Sequence, residues 1–122
     1  MTTALWIAQC LLGTAFVLAG SLKAFRYAQA RAMMPWVRAV PAGLVRTIGL
    51  AELLGGVGLI LPSVSGVAAY LTPLAGVGLT LVMALAAAFH ARRRELAAIP
   101  ANVVLGALAL FVAHGRWSLV GA

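Results

Sequence analysis

The sequence predicts an all-α fold: an integral membrane four-helix bundle with a long basic cytoplasmic loop between helices 1 and 2. Three observations carry that prediction. Hydrophobic residues make up 64% of the 122 residues and charged residues only 9%, whereas a soluble domain averages about 25% charged. The apolar residues gather into four runs near bilayer-spanning length. The basic residues stand between these runs or at their edges. So short a chain has too little interior to hide this much apolar surface, and lipid has to solvate much of it. Residues 1–122 read as a single domain.

The first run covers Leu5–Leu22. Its charges follow it instead of preceding it, so it reads as a span and not as a cleaved signal peptide. The second, Leu44–Leu61, is followed by Pro62, Ser63, Ser65 and Gly66, which are expected to stop the helix in a short turn. The third covers Val67–Phe89 and contains Pro73. A start near Thr72 is preferred to a kink, because Thr72 can cap and Pro73 then falls in the first turn. The fourth, Ala98–Ala113, carries Pro100 in its own first turn. It is the shortest run, so Trp117 and Leu119 are expected to extend it at the interface. Between the first two runs, Lys23–Gly43 interleaves Phe25, Tyr27, Met33, Met34 and Trp36 with basic residues. That mixture predicts a short amphipathic segment at the headgroups, acting as a basic anchor, a lid or a docking surface.

The formal net charge is +7. Lys23, Arg26, Arg31, Arg38, Arg46, Arg92, Arg93 and Arg94 fall on one face if all four runs cross, leaving only Arg116 on the other. By the positive-inside rule the basic loops are cytoplasmic and both termini lie outside. The same placement argues against nucleic acid as a partner. Cys10 is the sole cysteine, so the chain has neither an internal disulfide nor a redox dithiol, and an inert, buried thiol is expected.

Lipid supplies no hydrophobic drive between spans, so small residues that let backbones approach are expected to pack the bundle. Gly49, Gly55 and Gly56 recur with Glu52 at spacings of three and four and share its face. Those glycines either pack helices or clear space for a flat ligand beside Glu52. Glu52 is the leading site candidate, because an ionisable group inside a span is costly and usually faces protein or water. It lies about 12 Å below the basic face, at a rise of about 1.5 Å per residue. Thr14 and Thr80 are expected at similar depth and Asn102 nearer the basic face, each able to reach Glu52 if its helix is turned correctly. Lys23 and His90 stand at the rim and would have to lean inward to pair with it. Arg46, nearly two turns away and off the same face, is a poor partner. With a cation, Glu52 is an anion in a structural clamp; without one, it is a protonated donor. His90 is accounted for by the helix macrodipole. With His114 near the opposite face it forms no joint metal site, and no metal is expected.

The order of these pieces is itself informative. Ala19-Gly20-Ser21-Leu22-Lys23 closes the first run, and Arg46, Gly49 and Glu52 precede Gly58-Leu59-Ile60-Leu61-Pro62. Thr72-Pro73-Leu74-Ala75 opens the third, Phe89-His90 with Arg93 and Glu95 follows, and Gly115-Arg116 comes near the end. Over Leu5 to Arg116 this pattern resembles the DoxX-like family of small four-helix bacterial membrane proteins. The resemblance implies an inner-membrane location and a link to quinone, since the family takes its name from a membrane subunit associated with thiosulfate:quinone oxidoreduction. Other relatives are linked with membrane-associated responses to oxidative stress. A quinone cofactor and a redox partner subunit are implied in this way, and not by any redox motif.

Two functions stay open. The first is an accessory subunit of a quinone-linked membrane redox system. The second is a small integral-membrane enzyme acting on a lipid-soluble substrate such as an isoprenoid, sterol or epoxide. Its catalytic residues would be Glu52 as general acid or base, with Asn102 or Thr80 orienting substrate. Gly49, Glu52, Gly55, Gly56 and His90 would form the ligand-binding set. A transporter ranks last, since no inverted repeat is evident, although a homodimer fits the sequence.

Overall fold

The computed structural model describes residues 2–120, without the side chains of 119 and 120. The expected role of Leu119 and the extreme ends of the 1–122 domain lie outside them. The described residues form five α-helices and no strand: α1 (Thr2–Phe25), α2 (Tyr27–Met33), α3 (Ala42–Ser65), α4 (Leu71–Arg92) and α5 (Ile99–Gly115). Helices α1, α3 and α4 are long and apolar enough to cross a membrane, as is α5 with the 3-10 turn Leu96–Ala98 before it. Leu11, Leu18, Leu54, Leu81 and Leu110 are more than half exposed on their outer faces. Lipid suits such faces, and a helix meets its own backbone hydrogen bonds there.

Helix α1 packs chiefly on α3, and α4 on α5, while α3–α4 and α1–α5 contacts close the ring. Neighbours run antiparallel: Gly13 of α1 meets Gly56 of α3, and Gly20 meets Gly49. A Cβ at Gly20 would lie 2.5 Å from both the Gly49 carbonyl oxygen and the Leu53 nitrogen. Backbone atoms cannot step aside, so the two helices touch this closely only through glycine. Inside the ring the core is built from Leu12, Phe16, Leu59, Leu79, Met83 and Val112.

Helix α4 starts late with Pro73 in its first turn, as expected, but Thr72 is not its cap: Tyr70 holds that position without a side-chain bond, and Thr72 lies inside the first turn with its hydroxyl paired to Ser63. Pro62 does not stop its helix. Helix α3 continues through it to Ser65 and ends where Gly66 adopts φ 75°, its N–H bonding the Pro62 carbonyl at 3.0 Å. The helix absorbs the lost ladder bond and the crowding of the proline ring for one more turn, and the left-handed glycine is the stronger stop. Cys10 also departs from expectation, being exposed. The buried stripe of α1 passes through Gln9, Leu12, Gly13 and Phe16, which leaves Cys10 on the outer face.

The connection from α1 to α3 folds into two short pieces, α2 and a 3-10 turn, Pro35–Ala39. Ala30 and Val37 are fully buried and tie both pieces to the bundle. Arg26, Arg31 and Arg38 stay exposed. The segment is thus amphipathic, and it holds Trp36 over one end of the bundle.

Candidate functional site

Glu52 is 3% exposed and lies on the face of α3 that meets α1, with Gly49 and Gly56 about one turn to either side. The missing side chain at Gly49 makes room for the stem of Lys23: a Cβ there would stand 2.7 Å from Lys23 Cβ. Lys23 therefore leans inward from the last turn of α1, and its Nζ donates to Glu52 Oε1 at 2.6 Å. Both side chains are shielded, so Coulomb attraction and desolvation are both large, and removing either partner strands a buried charge. Trp36 covers the pair, with its ring centroid 5.4 Å from Nζ. Arg46 turns outward onto the Tyr27 ring instead, at 5.4 Å.

His90 closes α4 against the same space. Its ring meets those of Trp36 and Phe89 edge-on, at centroid distances of 6.2 and 5.4 Å. The chain then turns sharply. Arg94 N–H bonds Ala91 O at 3.1 Å and Glu95 N–H bonds His90 O at 2.8 Å, while Arg94 takes φ 57°. This is a Schellman ending with arginine where glycine is usual. It returns the Glu95 carboxylate to the helix end, with Oε1 3.1 Å from His90 Nδ1 and accepting from Arg93 Nε at 2.9 Å. The Arg93 hydrogen bond first, and His90 second, hold the Glu95 carboxyl below its usual range.

Between these groups lies a cavity of about 420 Å³, within the range of small-molecule sites. Leu44, Ile48, Val82, Met83 and Phe89 supply apolar wall, while Lys23, Glu52, His90 and Asn102 supply polar groups. Asn102 Nδ2 is buried with no hydrogen-bond partner. Arg116 Nη2, at the other end of the bundle, is in the same state, so an unmet donor marks a ligand site only where a cavity lies beside it, as it does at Asn102.

Glu52, His90 and Asn102 thus share one cavity. Thr80 lines a different groove, between α4 and α5, with Asn102 at their common border. Its hydroxyl donates to the Gly76 carbonyl of its own helix at 2.7 Å. Thr14 is exposed on the outer face of α1. Gly49 and Gly56 pack against α1, whereas Gly55 packs against Leu79 of α4, and none of the three lines the cavity.

Sequence reasoning passes over a second polar cluster at the opposite end. Gln9 is fully buried, and its Nε2 donates to Leu59 O at 2.6 Å and to Ser63 Oγ at 3.2 Å. The Ser63 and Thr72 hydroxyls are 2.7 Å apart. Arg116 Nε donates to Gln9 Oε1 at 2.8 Å, with its guanidinium 5.1 Å from the Trp6 ring centre. The available signal is Gln9 itself, one turn ahead of Gly13 in an apolar run. Trp36 belongs to the loop expected to act as an anchor, a lid or a docking surface, but its place over the ion pair and the Glu95–His90 contact do not follow from helical spacing.

Chemically, the cavity offers a cation, a carboxylate, an imidazole and a free amide inside apolar walls. That set can hold the polar head of an otherwise apolar molecule and exchange a proton with it. No curated protein and no solved structure shows significant similarity to the chain. The model of the DoxX-like family matches residues 7–112, a stretch that includes every residue lining the cavity. The chain is a multi-pass membrane protein and belongs to the DoxX-like family.

Proposed function

We propose that this protein is an accessory subunit of a quinone-linked redox system, and that its cavity holds the head of a quinone-class lipid. One observation carries the reading: an apolar cavity whose wall contains the Lys23–Glu52 pair, His90 and the unmet donor of Asn102. Lys23 and Asn102 can donate to the oxygens of such a head, and Trp36 and Phe89 offer aromatic surface. Leu44, Ala51 and Leu85 line the cavity yet are exposed, so an isoprenoid tail has a way out toward lipid between α3 and α4. A bound quinone supplies two-electron, two-proton chemistry; this chain binds and orients it, and a partner subunit supplies the electrons. In this reading the basic end faces the cytoplasm of the inner membrane and both termini face outward, a placement the charge asymmetry supports.

Native mass spectrometry of gently solubilised protein, with organic extraction, tests the reading. The expected result is a bound quinone, or a redox subunit that co-purifies. Ala51→Trp, at an exposed position on the cavity wall, should abolish quinone retention with the thermal midpoint unchanged. Protein that takes up neither added decylubiquinone nor decylubiquinol, in a membrane where no redox subunit accompanies it, would overturn the proposal.

A second reading is favoured by the 2.6 Å contact between Lys23 and Glu52 in the cavity wall. Such a pair can pass a proton, so Glu52 could serve as general acid or base on an isoprenoid, sterol or epoxide, with Asn102 orienting it. Glu52→Gln separates the two: lost turnover with an intact fold supports catalysis, and unchanged activity removes Glu52 from the chemistry.

A further inference from the structure

What the cavity can recognise depends on which nitrogen of His90 faces a ligand. Glu95 Oε1 lies 3.1 Å from Nδ1. An ionised carboxylate only accepts hydrogen bonds, so Nδ1 carries the proton. A neutral imidazole has a single N–H, which makes Nε2 an acceptor. The ring lines the cavity with Nδ1 already engaged, so Nε2 is the nitrogen left for a ligand. Elsewhere on the cavity wall, Lys23 and Asn102 carry donors, and the carboxylate of Glu52 is held by Lys23. Thr47, also on the wall, donates its proton to the Gly43 carbonyl at 2.8 Å.

The fold accepts local strain to make the Glu95 contact. Arg94 occupies the left-handed region at φ 57°, a conformation that is costly for any residue with a Cβ. That turn brings Glu95 back onto the end of α4, and Arg93 Nε fixes the same carboxylate oxygen at 2.9 Å. Glu95 is part-exposed whereas His90 is buried, so the carboxylate links an outer surface to the cavity wall.

We propose that Glu95 is a positioning residue of this cavity: it fixes the Nδ1–H form of His90, so that the site selects a lipid-soluble head that donates a hydroxyl. A quinol or another phenol has the required chemistry. Its hydroxyl donates a hydrogen bond to His90 Nε2. The same head capped as a methyl ether leaves Nε2 unpaired in an apolar wall and is rejected for that reason. This rests on the reading of the cavity as a ligand site, and adds which form of the ligand it prefers.

The test uses the full chain in nanodiscs at pH 8 under reducing conditions, with His114→Gln so that one imidazole remains. The probes are decylubiquinol and its dimethyl ether, with binding followed by tryptophan fluorescence. The quinol should bind about tenfold tighter, the size of one hydrogen bond, and the ¹⁵N spectrum should show a single Nδ1–H tautomer. In Glu95→Gln, whose amide can donate or accept, the preference should fall below about threefold and the Nε2–H tautomer should appear. Equal affinity of the two probes for the His114→Gln chain, or a tautomer that ignores Glu95→Gln, overturns the proposal and leaves the ligand site standing. Failure of both probes to bind overturns the underlying site and the proposal with it.

Discussion

Helix α1 buries two polar side chains on one face, Gln9 and Lys23, and they meet very different surroundings. They are about four turns apart at 3.6 residues per turn, at opposite ends of the seam where Gly13 and Gly20 meet Gly56 and Gly49. At the Gln9 end each group hands on to the next, Arg116 to Gln9, Gln9 to Leu59 and Ser63, and Ser63 with Thr72, with Arg116 Nη2 left unmet. At the Lys23 end the ion pair closes on itself, while His90 and Asn102 are left around a cavity. Burial of a polar group in a membrane bundle is therefore not by itself a mark of function. Both ends keep an unmet donor, and what sets the Lys23 end apart is the cavity beside its polar groups.

The largest expected effect comes from splitting the ion pair. Lys23→Met strands the Glu52 carboxylate and should cost about 3–5 kcal/mol of stability. Adding Glu52→Leu should restore most of that loss, because two apolar side chains replace a buried pair at little net cost. Unfolding in mixed micelles gives the stabilities, and decylubiquinone uptake gives the function. A double variant that folds well and still takes up quinone would make the Lys23 end a second clamp and erase the contrast.

The seam between the two ends comes next. Gly20→Ala forces a Cβ against backbone of α3 and should cost about 1–3 kcal/mol by overpacking. A Cβ at Gly78 would meet nothing within 4 Å, so Gly78→Ala should match or exceed wild-type stability. Gln9→Leu is a smaller perturbation, about 1 kcal/mol for interhelical hydrogen bonds in a membrane protein. It should leave quinone uptake unchanged, and a loss of uptake at constant stability would couple the two ends.

Much of this was legible in the sequence, for identifiable reasons. Apolar runs and basic loops mark the four long helices because lipid punishes exceptions. Pro73 marks the start of α4, since proline fits a first turn and little else in a helix, whereas Thr72 does not cap it. Pro62 misleads because α3 absorbs a proline in its last turn and stops at a left-handed glycine instead. Residue counting places Glu52, Thr14 and Thr80 at similar depth, but depth is one coordinate and helix rotation is another. Rotation follows from packing between helices, which is why Thr14 turns outward and Lys23 reaches Glu52 through the gap at Gly49. Gln9 carries no charge and barely disturbs an apolar run, so it draws no attention. The Glu95–His90 contact needs a left-handed Arg94, a conformation that sequence normally signals by glycine.

The smallest effect is a pH response confined to one end. Arg93 first, and then His90, hold the Glu95 carboxyl below its ordinary value of 4.5. A group with a lowered value in the folded state binds protons more weakly there than in the unfolded chain. Its stabilising contribution is therefore complete above the ordinary carboxyl range and is lost as pH falls through the folded value. Glu95 is solvent-exposed enough for screening to keep the effect local. Acid should loosen the turn after α4 without unfolding the bundle. The Gln9 cluster contains no acid, so it should not respond. Hydrogen exchange at residues 93–98 and 63–72, corrected for intrinsic rates, measures both ends in one experiment. Faster exchange at the first segment alone, abolished by Glu95→Gln, is the expected outcome. An acid response that survives Glu95→Gln would move its source away from this carboxylate, and equal loosening at both ends would mean that the two clusters open together.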